Sequence, residues 1–366
     1  MLDEVYIGLM SGTSMDAADG VLVRFGDRQM ALLAYASLPY PPELRQAVEQ
    51  LMHERFSARE LGDIDSAVGS LFADVGATLA KEASQQGLKV RAIGCHGQTI
   101  WHAPDAPIPY SLQIGNPHLV ASRTGLPTVA DFRRRDMLDG GQGAPLVPAF
   151  HQWLFGAQGR TRAILNLGGI ANISVMQGDE LLAGFDTGPA NTLMDAWCQR
   201  HTGAPYDLNG QWARMGHCQG ALLNRLMSDP YFSLPAPKST GREYFNPGWL
   251  DAALSGQTWA PVDVQRTLLE LTAWSAAQGI RHTADVDEVF VCGGGAFNGL
   301  LMERLSAHLL ERTTLATTQA CGLHPQWVEA CAFAWLAMRR LHGLPGNLPA
   351  ATGARSLQVL GALYPG

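Results

Sequence analysis

Apolar positions near the start of the chain follow strand rather than helix spacing. Val5 to Leu9, Gly20 to Phe25 and Ala31 to Leu38 are short β-rich runs separated by the breakers Ser11-Gly12-Thr13-Ser14 and Gly26-Asp27, which predicts a hairpin extended by a third strand. The spacing then changes. Pro41-Pro42-Glu43 opens a helical pattern that runs to about His53, with proline in the first turn, where its missing N–H leaves no hydrogen bond unmade. Leu61, Ile64, Val68, Leu71, Phe72, Val75 and Leu79 recur at three- and four-residue intervals, so a second amphipathic helix over 60–86 leads into a strand at Val90 to Cys95.

The same order recurs after a glycine-rich middle. Strands are predicted at Ala163 to Leu167, Ile170 to Met176 and Leu181 to Phe185, and a helix opens at Pro189-Ala190-Asn191. Farther on, helical patterns cover Val262 to Ile280, Asn298 to Leu310 and Gln326 to Arg340, with a buried strand at Glu288 to Cys292. Two copies of a three-strand meander followed by helix-strand units predict two α/β domains with mixed sheets around a cleft.

Composition narrows the class. A length of 366 residues is more than one core usually supports, so two domains are expected. With 46% hydrophobic residues, 16% charged residues and a net charge of -7, the chain reads as an ordinary globular protein, and nucleic acid is not expected as a ligand because backbone phosphates call for clustered Lys and Arg. The acidic start, Leu2-Asp3-Glu4, is unlike a secretory signal, and no run of about 18 apolar residues occurs, so a cytoplasmic protein without a membrane partner is expected. The six cysteines are scattered and lack zinc spacing, which points to free thiols in a reducing compartment.

Three loops could carry chemistry. The turn from Gly8 to Asp16 is dense in Gly, Ser and Thr and offers backbone N–H groups to an anion, although a plain hairpin loop would look similar. Its counterpart is Leu165-Asn166-Leu167-Gly168-Gly169. In the third, a buried strand ends in Gly293-Gly294-Gly295 before a helix; a tight turn explains one glycine better than three. Neither G-x-x-x-x-G-K-[ST] nor G-x-G-x-x-G occurs, which argues against a P-loop or Rossmann site.

Taken in order, MSGTSMD, CHGQT, DFRRRD with GGQGAPLVPAFH, LNLGGIAN, DTGPAN, PKSTGREYFN, VCGGGAFN and the closing LPGNLP resemble the anhydro-N-acetylmuramic acid kinases over nearly the whole chain. The resemblance implies two ribonuclease H-like domains of the actin/hexokinase-like fold around a nucleotide cleft, divided at 1–131 and 132–344 with the tail 345–366 packing back on the first. ATP, Mg²⁺, an amino-sugar substrate and a homodimer come with it. It implies opening of a 1,6-anhydro ring coupled to phosphorylation of O6. Asp186 is the expected catalytic base. A turn or N-cap acid is the plainer reading of that position. Gly12, Thr13, Ser14, Met15, Asp16, Ala17, Ala18 and Asp19 are expected on the β- and γ-phosphates, Gly168 and Gly169 on the phosphates from the other lobe, and Gly293, Gly294, Gly295 and Asn298 on adenosine. Arg135, Glu329 and His96 are expected at the sugar, with Arg133 as a solvated basic turn. Lys238, Ser239, Thr240 and Arg242 form either a ligand-binding or an exposed loop. Ala17 and Ala190 stand where the family usually has glycine, a change a loop accepts when φ is negative there.

Overall fold

The computed structural model describes residues 3–12, 15–53 and 56–366. Strands form where the apolar runs predict them. β1 (Glu4–Met10), β2 (Ala17–Phe25) and β3 (Met30–Pro39) make an antiparallel meander. β4 (Val90–Cys95) joins β1 in parallel after the helix Ala58–Gln85. That helix starts on a reciprocal capping box, Ser57 with Glu60, which satisfies two otherwise unpaired N–H groups. The hairpin of β5 (Gln98–Ala103) and β6 (Tyr110–Ile114) stands apart from this sheet. β7 (Thr128–Ala130) extends the sheet beside β4.

The second meander is β8 (Thr161–Leu167), β9 (Ile170–Gln177) and β10 (Glu180–Pro189), with β11 (Glu288–Cys292) and β12 (Thr314–Thr317) added in parallel beyond β8. β13 (Ala362–Tyr364) returns to pair antiparallel with β7. The first sheet therefore reads β13-β7-β4-β1-β2-β3 and the second β10-β9-β8-β11-β12. From the meander outward the two orders correspond, so the repeat seen in the apolar pattern is topological.

The chain divides into one unit of Met1–Leu154 with Trp327–Gly366 and another of Phe155–Gln326. This differs from a division at 131/132 and 344/345, and the reason is packing. The helix Val328–Leu341 lies on β1 and β4, where glycines let two backbones touch: a Cβ on Gly8 would run into the Ala330 carbonyl oxygen and one on Gly94 into that of Phe333. Neighbouring β1 residues face the other way, Leu9 toward the helix Ala58–Gln85. Each side of the first sheet is thus covered by one long helix. Segment 132–154 also belongs here, since the fully buried Asp136 accepts from Gly143 N, Asn347 Nδ2 and Thr352 Oγ1 and so ties it to the tail.

In the second unit the helix Pro261–Thr283 buries Val264, Leu268, Leu271 and Ile280 in a core shared with Leu165, Ile173, Val175 and Val291. All six cysteines are free thiols. No helix among the described residues is long and apolar enough to cross a membrane.

Candidate functional site

In the second unit two loops are joined by backbone hydrogen bonds and a third packs against them. Ala190 and Thr192 donate to the Gly169 carbonyl, Asn191 N donates to that of Gly168, and Asn191 Nδ2 donates to that of Leu167. The glycine run after β11 lies against the same strand end. Gly293, at φ 78°, and Gly295 both approach Leu167 so closely that a side chain on either would collide with it. Gly168 and Gly294 differ. The nearest atom to an added Cβ at each stands 3.6 Å away, ordinary contact distance, so these two positions are not crowded as Gly293 and Gly295 are. A glycine-lined surface of this kind suits a phosphate or a flat base, and the donor chemistry fits a nucleotide. Asn298 caps the helix Gly299–His308, its Oδ1 accepting from Leu301 N at 3.1 Å; that oxygen is committed to the helix.

Asp186 lies within β10, opposite Asn172 and just before a bulge, rather than after the strand. Its peptide N–H donates to Lys238 O at 3.0 Å, its carbonyl accepts from Tyr231 Oη at 2.7 Å, and Oδ2 accepts from Thr240 N at 3.0 Å. Burial pushes this carboxyl up to about 7, and the Glu243 carboxylate adds to the rise while the Thr240 N–H opposes it. Lys238 does not offer its ammonium to a ligand: Nζ donates to Tyr231 O at 2.9 Å and lies 4.6 Å from the centre of the Tyr231 ring. Ser239 and Arg242 are exposed on the same loop.

In the first unit the turn after β1 is closed by Met15 N donating to Gly12 O at 3.1 Å. Met15, at φ 52°, is buried, and Asp16 is exposed and paired with Arg45. Thr13 and Ser14 lie outside the described residues. Ala17, Ala18 and Asp19 do not belong to the open turn: all three are ladder residues of β2, Ala18 is in the core, and Asp19 accepts from Ser37 Oγ at 2.6 Å. Asp19 is paired on both sides, with Met10 and Ser37, whereas among the described residues Ala17 and Ala18 pair only with β3. Ala17 and Ala190 are absent from the described non-glycine residues with positive φ, and Ala190 sits at φ -117°, so neither methyl group strains its backbone.

The same unit gathers His96 and Glu329 around Arg133, not Arg135. Arg133 donates through Nε and Nη2 to His96 Nε2 at 3.2 and 2.8 Å and through Nη1 to Gly143 O at 2.8 Å. His96 Nδ1 donates in turn to Gly97 O, which fixes the tautomer, and burial together with the Arg133 charge keeps the ring neutral. The pKa of Glu329 is raised by burial and by Asp19, against the pull of Arg133. Arg135 is exposed and its Nε donates to Gln358 Oε1 at 2.8 Å. In the short helix Arg134–Leu138 successive residues face about 100° apart, so three adjacent arginines cannot share one environment. Nothing in the run RRR marks which of them turns inward.

A carboxylate raised by burial on β10, whose partner strand β9 begins after the Gly168-Gly169 turn, gives a base and a glycine backbone, the parts a phosphotransferase uses. Solved structures with a related course include the activator of 2-hydroxyisocaproyl-CoA dehydratase from Clostridium difficile with bound ADPNP, 11% identical, covering 93% of this chain and 96% of that one at a TM-score of 0.46. Another is a ROK family glucokinase from Streptomyces griseus in complex with glucose and AMPPNP, 17% identical, covering 90% and 99% at 0.40. The family model described as anhydro-N-acetylmuramic acid kinase matches residues 4–366, so the chain belongs to that family.

Proposed function

We propose that this kinase opens the 1,6-anhydro ring of 1,6-anhydro-N-acetylmuramic acid with water and phosphorylates the released O6 from ATP, as a step of peptidoglycan recycling. In the proposed reaction water attacks the anomeric carbon and gives its proton to Asp186 while the bond from C1 to O6 breaks. O6 attacks the γ-phosphorus and ADP leaves, so the products are N-acetylmuramic acid 6-phosphate and ADP. The observation that carries the reading is the setting of Asp186, whose backbone and Oδ2 are held by the 229–249 loop. Burial raises its pKa to about 7, so the carboxyl is part ionised at neutral pH and is a stronger base than an unperturbed aspartate.

The turn Gly12 to Asp16, Gly168 and Gly169 would supply N–H groups to phosphate oxygens, and Gly293 to Gly295 would lie against adenosine. His96, Arg133 and Glu329 would meet the sugar. Among the described residues no group of three or more His, Cys, Asp or Glu is placed to hold an ion. A magnesium ion would rest chiefly on the nucleotide's phosphate oxygens and waters, as a hard cation that keeps its hydration does, and would supply charge neutralisation. By likeness to its family we take the enzyme to be a cytoplasmic homodimer.

The test is mass spectrometry of the product made from the anhydro sugar, ATP and Mg²⁺ in ¹⁸O-water. One heavy oxygen at C1 and none in the phosphate is expected. Turnover of an open N-acetylhexosamine in place of the anhydro sugar would defeat the reading.

A further inference from the structure

The loop that covers Asp186 is built in more detail than a surface connection needs. Asp229 gathers three donors, Tyr231 N at 2.9 Å, Tyr244 Oη at 2.8 Å and Trp249 Nε1 at 2.8 Å, and so fixes both ends of segment 229–249. Tyr231 stands at the centre. It is buried, its ring meets Phe245 edge-on at 5.3 Å, and its hydroxyl reaches the Asp186 carbonyl. Lys238 ties the far side of the loop down by donating to Tyr231 O and Phe232 O. The loop touches Asp186 at its N–H, its carbonyl and Oδ2, so both peptide groups and one carboxylate oxygen are held. Thr240 N is bonded to Oδ2, so Oδ1 is the oxygen taken to receive the proton.

We infer that Tyr231 and Glu243 are positioning residues for the base: Tyr231 holds the strand segment that carries Asp186, and Glu243 sets the charge around its carboxylate. This rests on the reading of Asp186 given above. Glu243 folds back over Gly241, where an added Cβ would collide with both its carboxylate oxygens. Gly241 follows Thr240, whose N–H holds Oδ2, so the Glu243 carboxylate lies beside the base's anchor, and its charge adds to the rise that burial produces. The other titratable groups here are Tyr231, which donates to the backbone, Asp229, which accepts from Tyr244 Oη, Tyr244 itself, Lys238, whose ammonium is turned to carbonyls, and the exposed Arg242.

The experiment compares Tyr231→Phe, Glu243→Gln and Asp186→Asn by steady-state kinetics across pH with the anhydro sugar, ATP and Mg²⁺. Tyr231→Phe is expected to lower kcat about 10- to 100-fold with the KM for ATP unchanged, as small misplacements of a reacting group do. Glu243→Gln is expected to move the ascending limb of the kcat/KM profile to lower pH by a few tenths of a unit, because one negative neighbour is gone. A loop that served folding alone would change the melting temperature and leave that limb in place. Wild-type kcat in Tyr231→Phe and an unmoved limb in Glu243→Gln, with Asp186→Asn inactive, would overturn the positioning roles alone. Full activity in Asp186→Asn would overturn the base assignment and the positioning roles with it.

Discussion

Asp186 and Arg133 are residues whose chemistry is set by what surrounds them. The folded chain holds the Asp186 proton up to about pH 7, against 3.8 for an unperturbed carboxyl. Between those values the folded state binds more protons than the unfolded one, so this group makes stability fall as pH rises, and the full penalty applies above pH 7. Asp186→Asn keeps an acceptor for the Thr240 N–H and carries no charge. It is expected to be more stable than the parent at pH 8, by about 1–4 kcal/mol, and nearly equal to it at pH 4, as read by denaturant unfolding at the two pH values. The sequence marks Asp186 only as an acid ahead of a Thr-Gly-Pro turn. Its pKa depends first on burial and then on Thr240 and Glu243, more than fifty positions away, so no local pattern could carry it. Arg133 gives the same lesson, since its partners His96 and Gly143 come from separate segments.

Strands and helices were far more legible, because their signal is local and periodic. The two meanders lie where alternating apolar runs place them, and the capped helix Ala58–Gln85 covers the predicted span to within a turn. Two strands run farthest past their predicted ends: β2 starts at Ala17 instead of Gly20, and β10 extends at its C-terminal end. The latter runs on to Pro189 because its backbone pairs with β9 across Gly188 and Pro189, a partner that propensity does not see. Close packing of elements is testable through glycine. Gly8→Ala should destabilise the protein by about 2–3 kcal/mol, or more if the helix Val328–Leu341 cannot retreat, because its Cβ meets backbone. Gly62→Ala, on an open face of the helix Ala58–Gln85, should instead stabilise by up to about 1 kcal/mol. Urea titration of both variants checks the contrast.

The molecule as a whole is divided unevenly along the chain. Unit Phe155–Gln326 is continuous and has its own core, whereas the first unit is completed only by residues from Trp327 onward. A fragment of 155–326 is expected to fold by itself with dispersed amide resonances. One of 1–154 should not, for it lacks the helix that covers β1 and β4, and adding 327–366 should restore its fold. Although the short strands β5, β6, β7, β12 and β13 went unread, the amino-acid sequence by itself determined the strands of both meanders with β4 and β11, the principal helices, the glycine loops and, through motifs along its whole length, the family. Those are properties of short windows, in which neighbours impose backbone conformation and period. Only the tertiary structure decided which arginine turns inward, how far Asp186 departs from an ordinary acid and where the chain changes unit. Burial and charge act through space, and the groups that impose them here lie tens to hundreds of residues apart.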